Sequence, residues 1–109
     1  MSLSIESKEG KNGALVVALK GELMLGAGCN QLAEFVHAHT AAAGQLVFDV
    51  SGISQIDSTG IGLFIEAYSR LDKLGGQMII AGAAGAMKDA FHVTRLDTVF
   101  RFVTAVDEL

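Results

Sequence analysis

The chain has no proline and no tryptophan, and only one tyrosine and one cysteine among its 109 residues. Without proline there is no obligatory helix breaker, although this locates no element. A single thiol, Cys29, cannot close an internal disulfide, and no basic segment leads into a secretory apolar run; the expectation is a reducing cytoplasm. Basic residues are also scarce. Eight Lys and Arg against twelve Asp and Glu give a net charge of −4, which argues against a nucleic-acid groove or a polybasic membrane patch. No apolar run approaches the roughly 18 residues of a spanning helix, so membrane insertion is not expected. What is present is a composition 50% hydrophobic and 18% charged, too apolar for a disordered chain. The length fits one domain over 1–109, with no functional weight on the opening Met-Ser-Leu.

Periodicity predicts the elements. Ser4 to Lys8 and Ala14 to Leu19 read as strands joined by "EGKNG", whose Asn12-Gly13 is a hairpin signal. From Cys29 to Ala43, Leu32, Phe35, Val36 and His39 recur at helical spacing. "QLVFDV" reads as a strand covered on both faces and as the centre of the sheet. After Gly60 a helix carries Phe64, Ala67, Leu71 and Leu74 on its core stripe, and Gly75-Gly76 stops it. "QMIIAG" is a further buried strand, Met87 to Val93 a short helix, "TVFRFV" a last strand and "AVDEL" a helix-capable tail. Strands alternating with helices after an opening hairpin predict an α/β fold, a mixed sheet with right-handed parallel crossovers.

Most familiar chemistries find no support. His37 and His39 are two residues apart on different helix faces and His92 is remote, so no metal ligand set is predicted. Cys29 near a helix start has either a lowered pKa or, more simply, the inertness of a small buried thiol. Ser58 lacks a GxSxG elbow and an evident triad, and the glycines near Gly60-Gly62 and Gly82-Gly85 complete neither a P-loop nor a dinucleotide fingerprint. No enzymatic activity and no cofactor are expected.

One junction remains, Asp57-Ser58-Thr59-Gly60, between the strand ending "VFDVS…QI" and the following helix. Capping alone accounts for these residue types, because Asp, Ser and Thr oxygens accept from the unpaired amides of a helix N-terminus and glycine allows a close turn. A helix that follows a parallel strand also starts at the carboxyl edge of the sheet, where open α/β folds commonly bind ligands, so Ser58 is expected to be accessible. Ile61 and Ile65 project to the margin of the core stripe on the side nearer Ser58. They either flank its hydroxyl as an apolar rim or simply widen the buried face.

"LVFDVSGISQIDSTGIGLFIEAYSRLDKLGGQMIIAGA" resembles a STAS domain of the bacterial anti-sigma-factor antagonist type. "LVVALKGEL" resembles the early strand with its Gly-Glu-Leu turn and "AFHVTRLDTVFRFV" the closing helix and strand, while "DSTG" is the most specific element. The resemblance implies a mixed four- or five-stranded sheet with about four α-helices. It also implies an anti-anti-sigma factor, a protein switch and not an enzyme. Ser58 would be phosphorylated by a partner anti-sigma factor that is a serine kinase, and dephosphorylated by a serine phosphatase. Unmodified, the domain would bind the anti-sigma factor and release the sigma factor. Asp57 would shape the loop, Thr59 and Gly60 would form the helix start, and Ile61 and Ile65 would be contacts. Two positions depart from the pattern. Many relatives carry an acidic residue after Gly-Glu-Leu, where this chain has Met24 beside the switch, and relatives often have glycine where "VTRLD" has Arg95. A second expectation is a STAS scaffold or accessory subunit of a stress-signalling or lipid or anion transport complex, and a third is a small-molecule or nucleotide sensor.

Overall fold

The computed structural model describes residues 3–10, 13–39 and 44–108. Its strands are β1 (Ser4–Glu9), β2 (Leu15–Leu23), β3 (Gln45–Ile56), β4 (Gln77–Ala81) and β5 (Arg101–Val103). Three α-helices, α1 (Ala27–His39), α2 (Ser58–Lys73) and α3 (Gly85–Val93), alternate with them. The strands form one mixed sheet in the order β1-β2-β3-β4-β5. β1 runs antiparallel to β2, and every later pairing is parallel.

The opening hairpin closes where the Gly10 amide donates to the Ala14 carbonyl at 2.7 Å, with Gly13 at φ +78°. That positive φ is the conformation for which the turn needs glycine; Asn12 lies outside the described residues. β3 sits at the centre as expected. Alternation splits its side chains between two cores: Leu46, Phe48 and Val50 face the helices, and Val47 faces the opposite side. The helical face carries the larger core, where Phe48, Phe64 and Phe91 pack edge to face at centroid distances of 5.2 and 5.7 Å. The opposite face holds a smaller cluster, Ala14, Val16, Val47, Ile79 and Ala81, against which Val103 and Val106 pack.

Several boundaries differ from the sequence expectation. β2 does not end at Leu19. It runs through Gly21-Glu22-Leu23, which pairs with the end of β3 after irregularities at Ala18/Lys20 and Gly21/Glu22 and so is strand, not turn. β3 likewise continues past "QLVFDV" to Ile56. α1 begins at Ala27, two residues before Cys29, and the expected end of this helix, 40–43, lies outside the described residues. His39 is half-buried, stacked on Phe35 at 3.9 Å with its Nδ1–H donating to the Phe35 carbonyl. "TVFRFV" supplies only three strand residues, because the Val99 and Phe100 amides donate to the Leu96 carbonyl and hold the preceding stretch in a 3₁₀ turn (Leu96–Thr98). The tail forms a second 3₁₀ turn (Val106–Glu108), so the described residues hold three α-helices where about four were expected.

Leu74, expected on the core stripe of α2, is 61% exposed. α2 ends at Lys73, where the Gly75 amide donates to the Asp72 carbonyl and the Gly76 amide to that of Leu71, with Gly75 at φ +77°. This glycine closure turns the chain out one residue before the projected stripe would reach Leu74.

Candidate functional site at the start of α2

β3 delivers the chain to the carboxyl edge of the sheet, and α2 begins there. Asp57 is the N-cap, in extended conformation, and its Oδ1 accepts from the Gly60 amide at 3.0 Å. Its other oxygen is used at long range: Oδ2 accepts from the Leu25 amide at 2.8 Å, and the Asp57 amide donates to the Leu23 carbonyl at 3.3 Å. Asp57 thus grips the chain on both sides of Met24 and holds the β2–α1 turn against the first turn of α2. Hydrogen bonds from the Leu25 and Gly60 amides keep its carboxyl below the usual carboxylate range, because they favour the charged form.

Gly60 completes the junction. A Cβ there would lie 2.6 Å from the Leu23 carbonyl oxygen and 2.9 Å from both Leu23 Cγ and Ile56 Cγ1. Only a residue without a side chain lets α2 approach β2 this closely. Gly62, two residues along, has open space around it and is exposed.

Ser58 and Thr59 are both exposed on the first turn. The cap belongs to Asp57, and among the described residues the Ser58 hydroxyl takes no part in the hydrogen bonding of the fold. Met24, between the two residues that Asp57 holds, is 37% exposed, and Ile65, two turns down α2 from Ser58, is 46% exposed. Ile61 lies elsewhere: it is 7% exposed and belongs to the main core. Of the two roles the sequence left open for it, the structure takes core widening. The junction therefore unites Met24, Asp57, Ser58, Thr59 and Gly60, with Ile65 on the same exposed stripe and Ile61 beneath.

Leu25 was missed by sequence reasoning. At 78% exposed it is a large apolar side chain on the turn that Asp57 holds. Its signal was present in "MLGAG", an apolar pair before a glycine that adopts φ +126° at Gly26.

Beyond Ile65 the stripe continues into a groove of about 650 Å³ between α1 and α2, lined by His37, Gly62, Ile65, Glu66, Arg70 and Lys73 among others. A polar clamp bridges the two helices. Arg70 Nη2 donates to His37 Nδ1 at 2.8 Å, and His37 Nε2 and Arg70 Nε lie 3.2 and 3.5 Å from Glu66 Oε1. Because arginine can only donate, Nδ1 is the acceptor and Nε2 faces the carboxylate as donor. Cys29 is buried near the start of α1, and burial, followed by the Asp57 carboxylate, pushes its thiol pKa up, the inert reading of this residue. Among the described residues no three His, Cys, Asp or Glu side chains gather as a metal set, and no helix is long and apolar enough to cross a membrane.

Arg95 has a conformational explanation. It sits between α3 and the 3₁₀ turn at φ 61°, the one positive φ among the described non-glycine residues. The left-handed region favours glycine, which is the residue expected there from the family resemblance.

This architecture has close structural counterparts. An anti-sigma factor antagonist from Mycobacterium paratuberculosis superposes with a TM-score of 0.88 at 24% identity, over 98% of this chain and 90% of that one. The Bacillus cell fate determinant SpoIIAA in its phosphorylated form gives 0.74 at 19% identity, over 93% and 92%. A sulfate transporter family protein from Wolinella succinogenes gives 0.78 at 16% identity, over 92% and 84%. At these identities the likeness is one of fold. The model of the STAS domain family matches residues 7–109, from within β1 through all the later elements and the Asp57–Gly60 junction, and on that match the chain belongs to the STAS domain family.

Proposed function

We propose that this domain is an anti-anti-sigma factor: a cytoplasmic, phosphorylation-controlled switch that binds an anti-sigma factor with serine kinase activity when Ser58 is unmodified, and so frees a sigma factor for transcription. The observation that carries this reading is the division of labour at the start of α2. Asp57 does the capping, and Ser58 presents an exposed hydroxyl that the fold does not use. Modification of Ser58 therefore removes no structural hydrogen bond found among the described residues.

Phosphoryl transfer would proceed from ATP held by the partner. The Ser58 Oγ attacks the γ-phosphorus, its proton passes to a base of the kinase, and ADP leaves, so the domain itself needs no cofactor and performs no catalysis. A serine phosphatase returns Ser58 to the hydroxyl. The phosphate brings a charge of about −1.5 to −2 to a position where the helix N-terminus tolerates an anion. Set beside the ionised Asp57 and the apolar Met24, Leu25 and Ile65, the same charge would oppose a desolvated interface by repulsion and by the cost of burying it. Met24, Leu25, Thr59 and Ile65 are the contact surface of this reading, with Gly60 and Ile61 supporting it from below.

The test is capture from the native cytoplasm with wild type and Ser58→Asp as baits. Retention of a small histidine-kinase-like ATPase by the wild type and by Ser58→Ala, but not by Ser58→Asp, is the expected result. Capture of one transport or stress complex by wild type and Ser58→Asp alike would replace this reading by a scaffold or accessory subunit, in which the junction is only a capped helix start.

A further inference from the structure

A second cleft opens at the carboxyl edge of the sheet, away from α2. It lies where β4 hands over to α3 and where β5 ends, and it encloses about 640 Å³, within the usual range for small-molecule sites. Its apolar wall comes from Phe91 and Phe102, whose rings meet edge to face at a centroid distance of 5.3 Å. Phe91 is buried, whereas Phe102 is only half-buried and lines the cleft.

Three charged groups stand on the rim. Asp97 accepts from His92 Nδ1–H at 2.9 Å. Lys88 and Asp89 on α3 are exposed, and among the described residues neither has an ion-pair partner. The cleft thus offers one uncommitted cation and one uncommitted carboxylate above an aromatic wall. A simple organic anion would face two carboxylates and a simple amine would face the lysine. A molecule with a flat apolar body and both charges on one end matches the whole set.

We propose that this cleft binds a zwitterionic aromatic amino acid, its ring against Phe102, its carboxylate on Lys88 and its ammonium group on Asp89. The site is separate from the Ser58 junction and does not depend on the role of Ser58.

The experiment is a titration of the isotopically labelled protein with L-tryptophan, followed by amide chemical shifts. Three companion probes are tryptamine, indole-3-propionate and L-alanine, which lack the carboxylate, the amine and the ring respectively. The expected result is saturable shifts at residues 83, 88–92 and 102–104, with tryptophan binding at least threefold tighter than each companion. Lys88→Gln should weaken tryptophan about tenfold while leaving tryptamine unchanged, and Asp89→Asn should weaken tryptophan and tryptamine while leaving indole-3-propionate unchanged. Both substitutions are on the exposed face of α3, so the fold is retained. No saturable shift up to about 10 mM tryptophan, equal binding of any companion probe, or shifts centred elsewhere would overturn the proposal.

Discussion

Gly60 is the position where the geometry makes its sharpest demand, and a pair of glycine-to-alanine substitutions tests it. In Gly60→Ala the new Cβ falls 2.6 Å from the Leu23 carbonyl oxygen, a backbone atom that also accepts the Asp57 amide at 3.3 Å. Relief requires α2 to back away from β2, which strains that hydrogen bond and the Leu25 amide bond to Asp57. Overpacking of this kind costs about 1–3 kcal/mol. Alanine recovers at most about 1 kcal/mol of helix propensity, and since the clash is with a backbone atom at 2.6 Å the cost lies toward the upper end of that range, so the net expectation is a loss of up to about 2 kcal/mol. Gly62→Ala is the control: the same helix, nothing within 4 Å of the added methyl, and a gain of about 0.5–1 kcal/mol. Urea unfolding reads both, and with a slope of about 1–3 kcal/mol per molar the Gly60 variant should melt roughly 1 M earlier at unchanged slope. If Gly60→Ala matches or exceeds the wild type while Gly62→Ala behaves as expected, the close approach of α2 to β2 is not what fixes glycine at this position.

Arg95→Gly should raise stability by about 1 kcal/mol in the same assay, because it removes a side chain from a left-handed backbone at φ 61°. Phe64→Ala, which empties the centre of the aromatic cluster, should cost about 3–5 kcal/mol. Leu74→Ala, in the exposed helix stop, should change stability by less than about 0.5 kcal/mol. The pKa of Asp57 is lowered in the folded protein, so its contribution is present above the unfolded carboxylate pKa of about 3.9 and is lost as pH falls through the folded value. Stability followed from pH 5 downward should therefore fall less steeply in Asp57→Asn than in the wild type, and parallel curves would remove the Leu25 and Gly60 amide bonds as the cause.

The helix was expected after Gly60 and begins at Ser58 with Asp57 as its cap, so its start was legible to within a few residues and its stop at Gly75 directly, because both are local. A capping carboxylate and a glycine of positive φ act within a few residues, and the 3.6-residue spacing of Phe64, Ala67 and Leu71 reports the core face directly. The second half of β3 was not legible. "SGISQI" alternates poorly and is mostly exposed, and it is strand because Leu23 and its neighbours in β2 pair with it. Gly52 there would place a Cβ 2.8 Å from the Leu19 carbonyl oxygen, a constraint invisible from one strand alone. Leu74 failed for a related reason: a periodic projection does not know where the glycine closure ends the helix.

By itself the sequence determined the order of strands and helices, the position of the exposed serine and the Phe64–Ala67–Leu71 core stripe of α2, because hydrophobic periodicity, capping and turn chemistry are short-range effects. The tertiary structure alone decided what surrounds that serine. The Leu25 amide reaches Asp57 across 32 positions of sequence, Gly60 meets Leu23 on another strand, and Ile61 turns inward while Met24 and Ile65 stay out. Such contacts form when parallel strands bring distant turns to one edge of the sheet, and no local pattern encodes that meeting.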